Sequence, residues 1–210
     1  MRVEDWGLVD YETSVKRQLE LLEKISDGAE ECLVFCTHPA VVTLGRATTA
    51  EDLVGWSGET YESSRGGRAT YHGPSQIVIY PILDLRRERA GFPVRDIHAY
   101  LRELEKAVVE GLHELGLAQA EARTTEVGGV SLTGVWVGER KVASIGIAVR
   151  KWTTYHGVAI NILQDASAFQ GIRPCGFATG VMASVEELLG RPVDMSEAKK
   201  TFQSKVLAHF

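Results

Sequence analysis

The sequence predicts an α+β fold: one domain over residues 1–210, built on a mostly antiparallel, mixed sheet with flanking helices. Three observations carry this. Two long stretches are amphipathic at helical spacing, and several short runs are rich in valine, isoleucine and aromatics. The two kinds are interspersed without the regular strand, helix, strand alternation of a doubly wound fold.

Taken in order, Val15, Leu19, Leu22 and Ile25 recur three and four residues apart before "SDGAE", which predicts a helix from Tyr11 to Ile25. "CLVFCT", "AVVTLG" and "QIVIYPILDL" then read as strands. A second helix has Ile97, Leu101, Leu104, Val108, Leu112 and Leu115 on one face and Gly116 as its stop. "GVSLTGVWVG", "KVASIGIAV" and "YHGVAINIL" are further strands, the first two joined as a hairpin with Gly138, Glu139 and Arg140 at its turn. Ser184 caps a short helix with Glu187 three residues later, and a last helix covers Ser196 to His209.

The chain has 210 residues, 44% of them apolar, and a net charge of −5. A chain of this length buries roughly 70% of its unfolded surface in one core. The acidic balance argues against a general nucleic-acid binder, which must neutralise phosphates. No apolar run approaches the roughly 20 residues that span a bilayer, and "MRVEDWGLVDYETS" lacks the apolar core of a signal peptide. The three cysteines form no CxxC pair, and Cys32 and Cys36 fall in an apolar strand, so no disulfide framework is expected and the protein reads as cytoplasmic. Arg86, Arg87, Arg89 and Arg95 cluster in "LRRERAGFPVR", either as a solvated loop or as a docking patch for an acidic partner.

Two places can carry chemistry. "RGGRATYHGPSQ", residues 65–76, has a Gly-Gly pair that lets backbone approach a ligand, with arginines, Tyr71 and His72 beside it. It has the spacing of neither a P-loop nor a dinucleotide fingerprint. His38, His72 and His156 sit beside proline or glycine near strand ends, and capping or orienting roles fit them better than zinc. The second place is "GIRPCGFATG", residues 171–180, where proline and glycine force a loop around Cys175. A free thiol is only about 3% thiolate at neutral pH, so a nucleophile there needs a base or a cation. Lys141, which opens an apolar strand, is a candidate, since a lysine in a partly dry pocket gives up its proton more readily. Its pattern fits a soluble strand edge equally well.

"HPAVVTLGR", "RGGRATYHGPSQIVIYPILDL", "GVWVGERKVASIGIAV", "TTYHGVAINI" and "RPCG" occur in an order that resembles the lipoyl/octanoyl-[acyl carrier protein]:protein transferases, over roughly His38 to Ser184. The resemblance implies a fold shared with biotin and lipoate protein ligases. It also implies transfer of an octanoyl or lipoyl group from acyl carrier protein to a lysine of a lipoyl domain, whether of a 2-oxoacid dehydrogenase complex or of the glycine cleavage H protein. By that resemblance the acyl-thioester cysteine falls on Cys175 and its lysine partner on Lys141. The acyl-binding segments fall on Arg65, Gly66, Gly67, Arg68, Ala69, Thr70, Tyr71 and His72, on Ser144, Ile145 and Gly146, and on Gly157, Val158 and Ala159. Val142, Ile145 and Ile147 alternate with small residues, so one face of their strand could line an acyl slot, as ordinary core packing also explains. No metal, ATP or organic cofactor is implied, because a thioester arrives activated, and a monomer is expected. Ser75 and Ala183 depart from the family's usual glycine and threonine. The competing readings are an ATP-dependent lipoate or biotin ligase and a non-catalytic acyl-binding module.

Overall fold

A computed structural model describes every residue except 91, 92, 128 and 178, with the backbone alone at 127, 175 and 179. The chain runs β1 (Arg2–Leu8), α1 (Tyr11–Ser26), β2 (Cys32–Thr37), β3 (Val41–Leu44), β4 (Glu59–Glu62), β5 (Thr70–His72) and β6 (Gln76–Ile82). Then come α2 (Ile97–Glu114), β7 (Ala120–Val127), β8 (Val130–Val137), β9 (Arg140–Arg150), β10 (Thr153–Asn161), α3 (Val185–Leu189) and α4 (Met195–His209). Among the described residues the strands form a seven-stranded sheet in the order β1-β2-β6-β10-β9-β8-β7 and a three-stranded sheet in the order β4-β3-β5. Most pairs are antiparallel; β1 with β2 and β3 with β4 are parallel.

Each helix begins where a side chain accepts an orphan backbone donor. Asp10 takes the Thr13 N–H, Asp96 that of Ala99, Ser184 that of Glu187, and Asp194 those of Ser196 and Glu197. The Ser184 cap is as expected, but the Glu187 carboxylate reaches Arg140 at 2.8 Å. The hairpin turn is tighter than expected: Gly138, at φ 58°, and Glu139 make it, and Arg140 is already paired with Val137. The strands not expected were β1, β4, β5 and β7. The first two are largely exposed and β7 is charged along its length, so no alternation of apolar residues marks them, while β5 is three residues long.

The two faces of the large sheet carry different covers. Leu33, Phe35, Ile77, Ile79, Val158 and Ile160 face α2 and α4. Cys32, Val34, Cys36, Val78, Tyr80, Tyr155 and Ala159 face α1, with Cys32 and Cys36 both buried. No described helix is long and apolar enough to cross a membrane.

The arginines of "LRRERAGFPVR" have an internal task. Arg86 pairs with Asp84 at 2.8 Å and donates to Ser26 O at 2.6 Å, Arg87 donates to Ala29 O at 2.7 Å, and Arg89 pairs with Glu31. They staple the loop after β6 to the connection between α1 and β2.

Between α2 and α4, Gly111 admits the fully buried Phe202 ring, and a methyl placed there would lie 2.5 Å from two ring carbons. Alanine gains about 1 kcal/mol over glycine inside a helix, whereas overpacking a filled core costs about 1–3 kcal/mol. Gly111→Ala is therefore expected to lose up to about 2 kcal/mol in urea unfolding; a gain instead would mean that the ring turns aside freely.

Candidate active site

The site lies where the small sheet meets the α1 face of the large one. β8 pairs with β9 only between Val137↔Arg140 and Thr133↔Ile145. Beyond that point the Gly-Gly loop takes over the free edge, and Gly66 N–H donates to Ile147 O at 3.0 Å. Behind the loop β9 and β10 present small residues: Gly146 sits directly across from Gly157, and Ser144 across from Ala159. A Cβ on Gly146 would stand 3.2 Å from both Arg65 Cδ and Gly66 O. At Gly157 the need for glycine is stricter. His156 before it has φ 58°, and a Cβ on Gly157 would lie 2.1 Å from Ile79 O.

The result is a cavity of about 530 Å³. Arg65, Gly66, Gly67, Thr70, His72, Ser144, Ile145, Gly146, Gly157, Val158 and Ala159 all line it, so three separated sequence segments meet on one space. Arg68, Ala69 and Tyr71 are not in the lining. Ala69 and Tyr71 pack the other way, with Val42, Phe169, Ile172 and Met182. Ile145 and Ile147 also touch the α2 core, so the strand's open face is supplied by its small residues and its large ones are shared with packing. The Ser144 hydroxyl is buried in the cavity wall with no hydrogen-bond partner among the described residues.

Arg65, only 6% exposed, is a buried cation. Its Nη2 donates to Thr43 O and Oγ1, both at 2.8 Å, its Nε to the same hydroxyl at 3.2 Å, and its Nη1 to Gly66 O at 3.0 Å. Beside it the three histidines come together on Tyr11, whose ring centroid is 5.2 Å from His38, 5.5 Å from His72 and 6.4 Å from His156. His38 bonds Val9 O through Nδ1 at 2.7 Å and the Tyr80 hydroxyl through Nε2 at 2.8 Å, and the His156 Nε2 lies 3.2 Å from the Ser64 hydroxyl. Burial pushes the His38 imidazole down to about 4, and burial with the nearby Arg65 charge takes His156 to about 3. His72 falls well below its usual value for the same reasons, with His38 adding to the effect. The lowered values keep all three imidazoles neutral near pH 7, the state that the capping or orienting roles expected from sequence require.

Lys141 is fully buried at the start of β9. Its carbonyl accepts the Ala183 N–H at 3.0 Å, and its ammonium stands 5.8 Å from the ring centroids of both Trp136 and Phe177. A Cβ on Gly134 would come within 3.1 Å of Nζ. Gly134 is paired directly with Ser144, and directly opposed residues share a face, so the ammonium occupies the same face as the unpartnered serine hydroxyl of the cavity wall. Cys175 lies in a 3₁₀ turn, Pro174–Gly176, and its side chain is outside the described residues. The turn is nonetheless placed beside the lysine by Phe177, two residues on.

A strap over residues 49–56, to which sequence reasoning gave no role, joins the two loops. Asp52, fully buried, accepts from Thr49 N at 3.0 Å and from Arg68 Nε at 3.1 Å, with Arg68 Nη2 2.6 Å from its other oxygen. Its carbonyl accepts the Arg173 N–H at 2.8 Å, and Gly171 O accepts from Val54 and Trp56, both at 2.9 Å. The signal was present as T-x-x-D, a capping-box spacing at residues 49–52. Ser75 donates to Asp165 at 3.2 Å and Tyr71 to the same oxygen at 3.3 Å, so the first departure from the family pattern forms a local bond. Ala183, the second, is buried, and its carbonyl accepts from Asn161 at 3.0 Å.

Two outcomes follow from these contacts. Asp52→Ala leaves a nearly buried guanidinium without its counter-charge and is expected to cost about 3–5 kcal/mol in denaturant unfolding; a loss under about 1 kcal/mol would show that the pair does not hold the strap. The histidines fold with lowered values but titrate near 6.5 when unfolded, so the unfolded chain binds more protons below that pH. Their contribution is complete above pH 6.5 and drains as pH falls toward 4, by about 2 kcal/mol for each of His38 and His156 at pH 5. Urea unfolding at pH 7, 6 and 5 checks this, and equal stability at all three would mean that the cluster accepts protons while folded.

The lipoyl protein ligase A/B catalytic domain model matches residues 10–207. The chain is 47% identical to an octanoyltransferase of Bdellovibrio bacteriovorus, with 97% of this chain and 96% of the relative covered. Its fold is similar to a lipoate-protein ligase A crystal structure with bound ATP, at a TM-score of 0.75 and 20% identity, covering 99% of this chain and 84% of that one. It is also similar to a biotin protein ligase of Aquifex aeolicus, at a TM-score of 0.52 and 11% identity over 100% of this chain and 68% of that one. With nearly the whole chain matched, the protein belongs to the lipoyl protein ligase A/B catalytic-domain family.

Proposed function

We propose that this protein moves an octanoyl group from an acyl carrier protein thioester to a lysine of a lipoyl domain, through an acyl-thioester on Cys175 with Lys141 as its proton partner. The observation that carries the reading is the burial of Lys141 against the segment that holds Cys175, on the face of the sheet that lines the cavity. A buried lysine packed on a cysteine loop has no role in a module that only holds an acyl chain. The relative's name, octanoyltransferase, supplies the acyl group in this reading. The cavity, at about 530 Å³, lies within the range of roughly 300–1,000 Å³ common to small-ligand sites.

In this mechanism the Cys175 sulfur attacks the thioester carbonyl, the tetrahedral oxyanion collapses, and the carrier's thiol leaves with a proton. One thioester replaces another at little change in free energy. The acceptor lysine then attacks the acyl-enzyme, Lys141 takes the proton from the attacking amine, and the cysteine sulfur departs as the amide forms. The acyl chain lies in the cavity between the Gly-Gly loop and strands β9 and β10, whose glycines let the surrounding backbone pack closely. The protein acts in the cytoplasm.

Incubation with octanoyl carrier protein is expected to add about 126 Da, an octanoyl group less one hydrogen, to a peptide containing Cys175. Cys175→Ala abolishes both adduct and transfer, and Lys141→Ala slows transfer by roughly 10²- to 10⁴-fold. Pyrophosphate release from ATP with free octanoate, and no adduct from the thioester, would replace this reading with an adenylate-forming ligase.

A further inference from the structure

The proposed reaction asks a flexible lysine to hold its amine in one place inside the protein, and four rotatable bonds do not do that unaided. Three groups close around it. Trp136 and Phe177 each stand with a ring centroid 5.8 Å from Nζ, and their rings meet edge to face at 85° with centroids 5.4 Å apart. Gly134 forms the floor, since even a methyl there would press on Cε at 2.5 Å. The walls come from different parts of the chain: Trp136 from β8, opposite Lys141 at a bulge in the pairing, and Phe177 from the loop that carries Cys175.

We propose that Trp136 and Phe177 are positioning residues that form an aromatic corner for the Lys141 ammonium, and that Phe177 uses this contact to lock the cysteine loop against the lysine. An aromatic face attracts a cation lying within about 6 Å of its centroid, and an aliphatic side chain of similar bulk does not. The corner therefore does what apolar packing alone cannot: it makes the lysine's position and the loop's position depend on each other. Trp136 also has the Arg123 guanidinium 5.2 Å from its ring centroid, so its removal would disturb two cations. Phe177 is the cleaner probe.

The inference rests on the role given above to Lys141. The measurement is the first half-reaction, release of the carrier's thiol from octanoyl carrier protein without acceptor, with thermal unfolding alongside. Phe177→Leu is expected to slow the rate at saturating donor by roughly three- to thirtyfold, as one partly desolvated cation–π contact allows, with the KM for donor within about twofold. Phe177→Tyr, which keeps the ring face, restores the rate to within about threefold of the original. Trp136→Leu against Trp136→Phe repeats the comparison should Phe177→Leu unfold. Equal rates for the leucine and aromatic variants, or an effect on KM alone, overturn the corner while leaving the role of Lys141 intact. Full activity in Lys141→Ala would instead remove the reading on which the corner rests.

Discussion

A guanidinium buried in the seam between two sheets sets the terms for the rest of this structure. A charge in low dielectric is tolerated only when its donors are matched, and Arg65 achieves this with Thr43 of the small sheet and the carbonyl of Gly66 in its own loop. Three consequences follow. The small sheet is held at a fixed distance from the large one, the Gly-Gly loop is held over the free edge of β9, and the positive charge adds to burial in keeping His72 and His156 neutral. The glycines of β9 and β10 let the loop and strands pack this closely around the cavity. The arginine expected to touch an acyl chain thus acts first as the fastener that makes a slot possible.

Most of the fold was legible because its central strands are buried on both faces. β2, β6 and β10 read as apolar runs, and their bounds fall within a few residues of expectation. The edge strands were not legible. β1 and β7 are solvated along much of their length, so a sequence has no reason to alternate there, and their strand state is decided by an available hydrogen-bonding neighbour. The site divides similarly. The Gly66–Gly67 pair announced close backbone approach, which is a local property, while Gly146 and Gly157 entered only through the family resemblance. Asp52 announced only a capping-box spacing, because the rest of its importance comes from Arg68 and Arg173, 16 and 121 positions away, meeting on one carboxylate and one carbonyl. Three histidines gathered on Tyr11, His72 and His156 stacked and His38 edge-on, were equally hidden; each appeared as a residue at its own strand end.

The likeness to an ATP-binding ligase extends to the fold. A loop that cradles phosphate presents free backbone N–H groups at a turn. Here Gly66 N–H is already committed to Ile147 O, and the second arginine of the loop is committed to Asp52. Those donors are spent within the protein's own frame. A thioester brings its own activation, so in the proposed reaction the protein has to supply a nucleophile, a proton acceptor and a dry channel.

The cysteine loop is anchored close to its reactive position on either side. Two residues before Cys175, the Arg173 N–H is held by the Asp52 carbonyl; two residues after it, the Phe177 ring is held on Trp136 and Lys141. Between those anchors lie a proline with fixed φ and a glycine at φ 77°. Few torsions remain for the backbone that carries the sulfur. In the proposed reaction, restricting the nucleophile in this way lowers the entropy lost on reaching a reactive geometry. The strap grips the Gly-Gly loop through Arg68 and the cysteine loop through Arg173, so the two loops are tied to one segment. Under the proposed function, a change at Asp52 then reaches the sulfur without touching it.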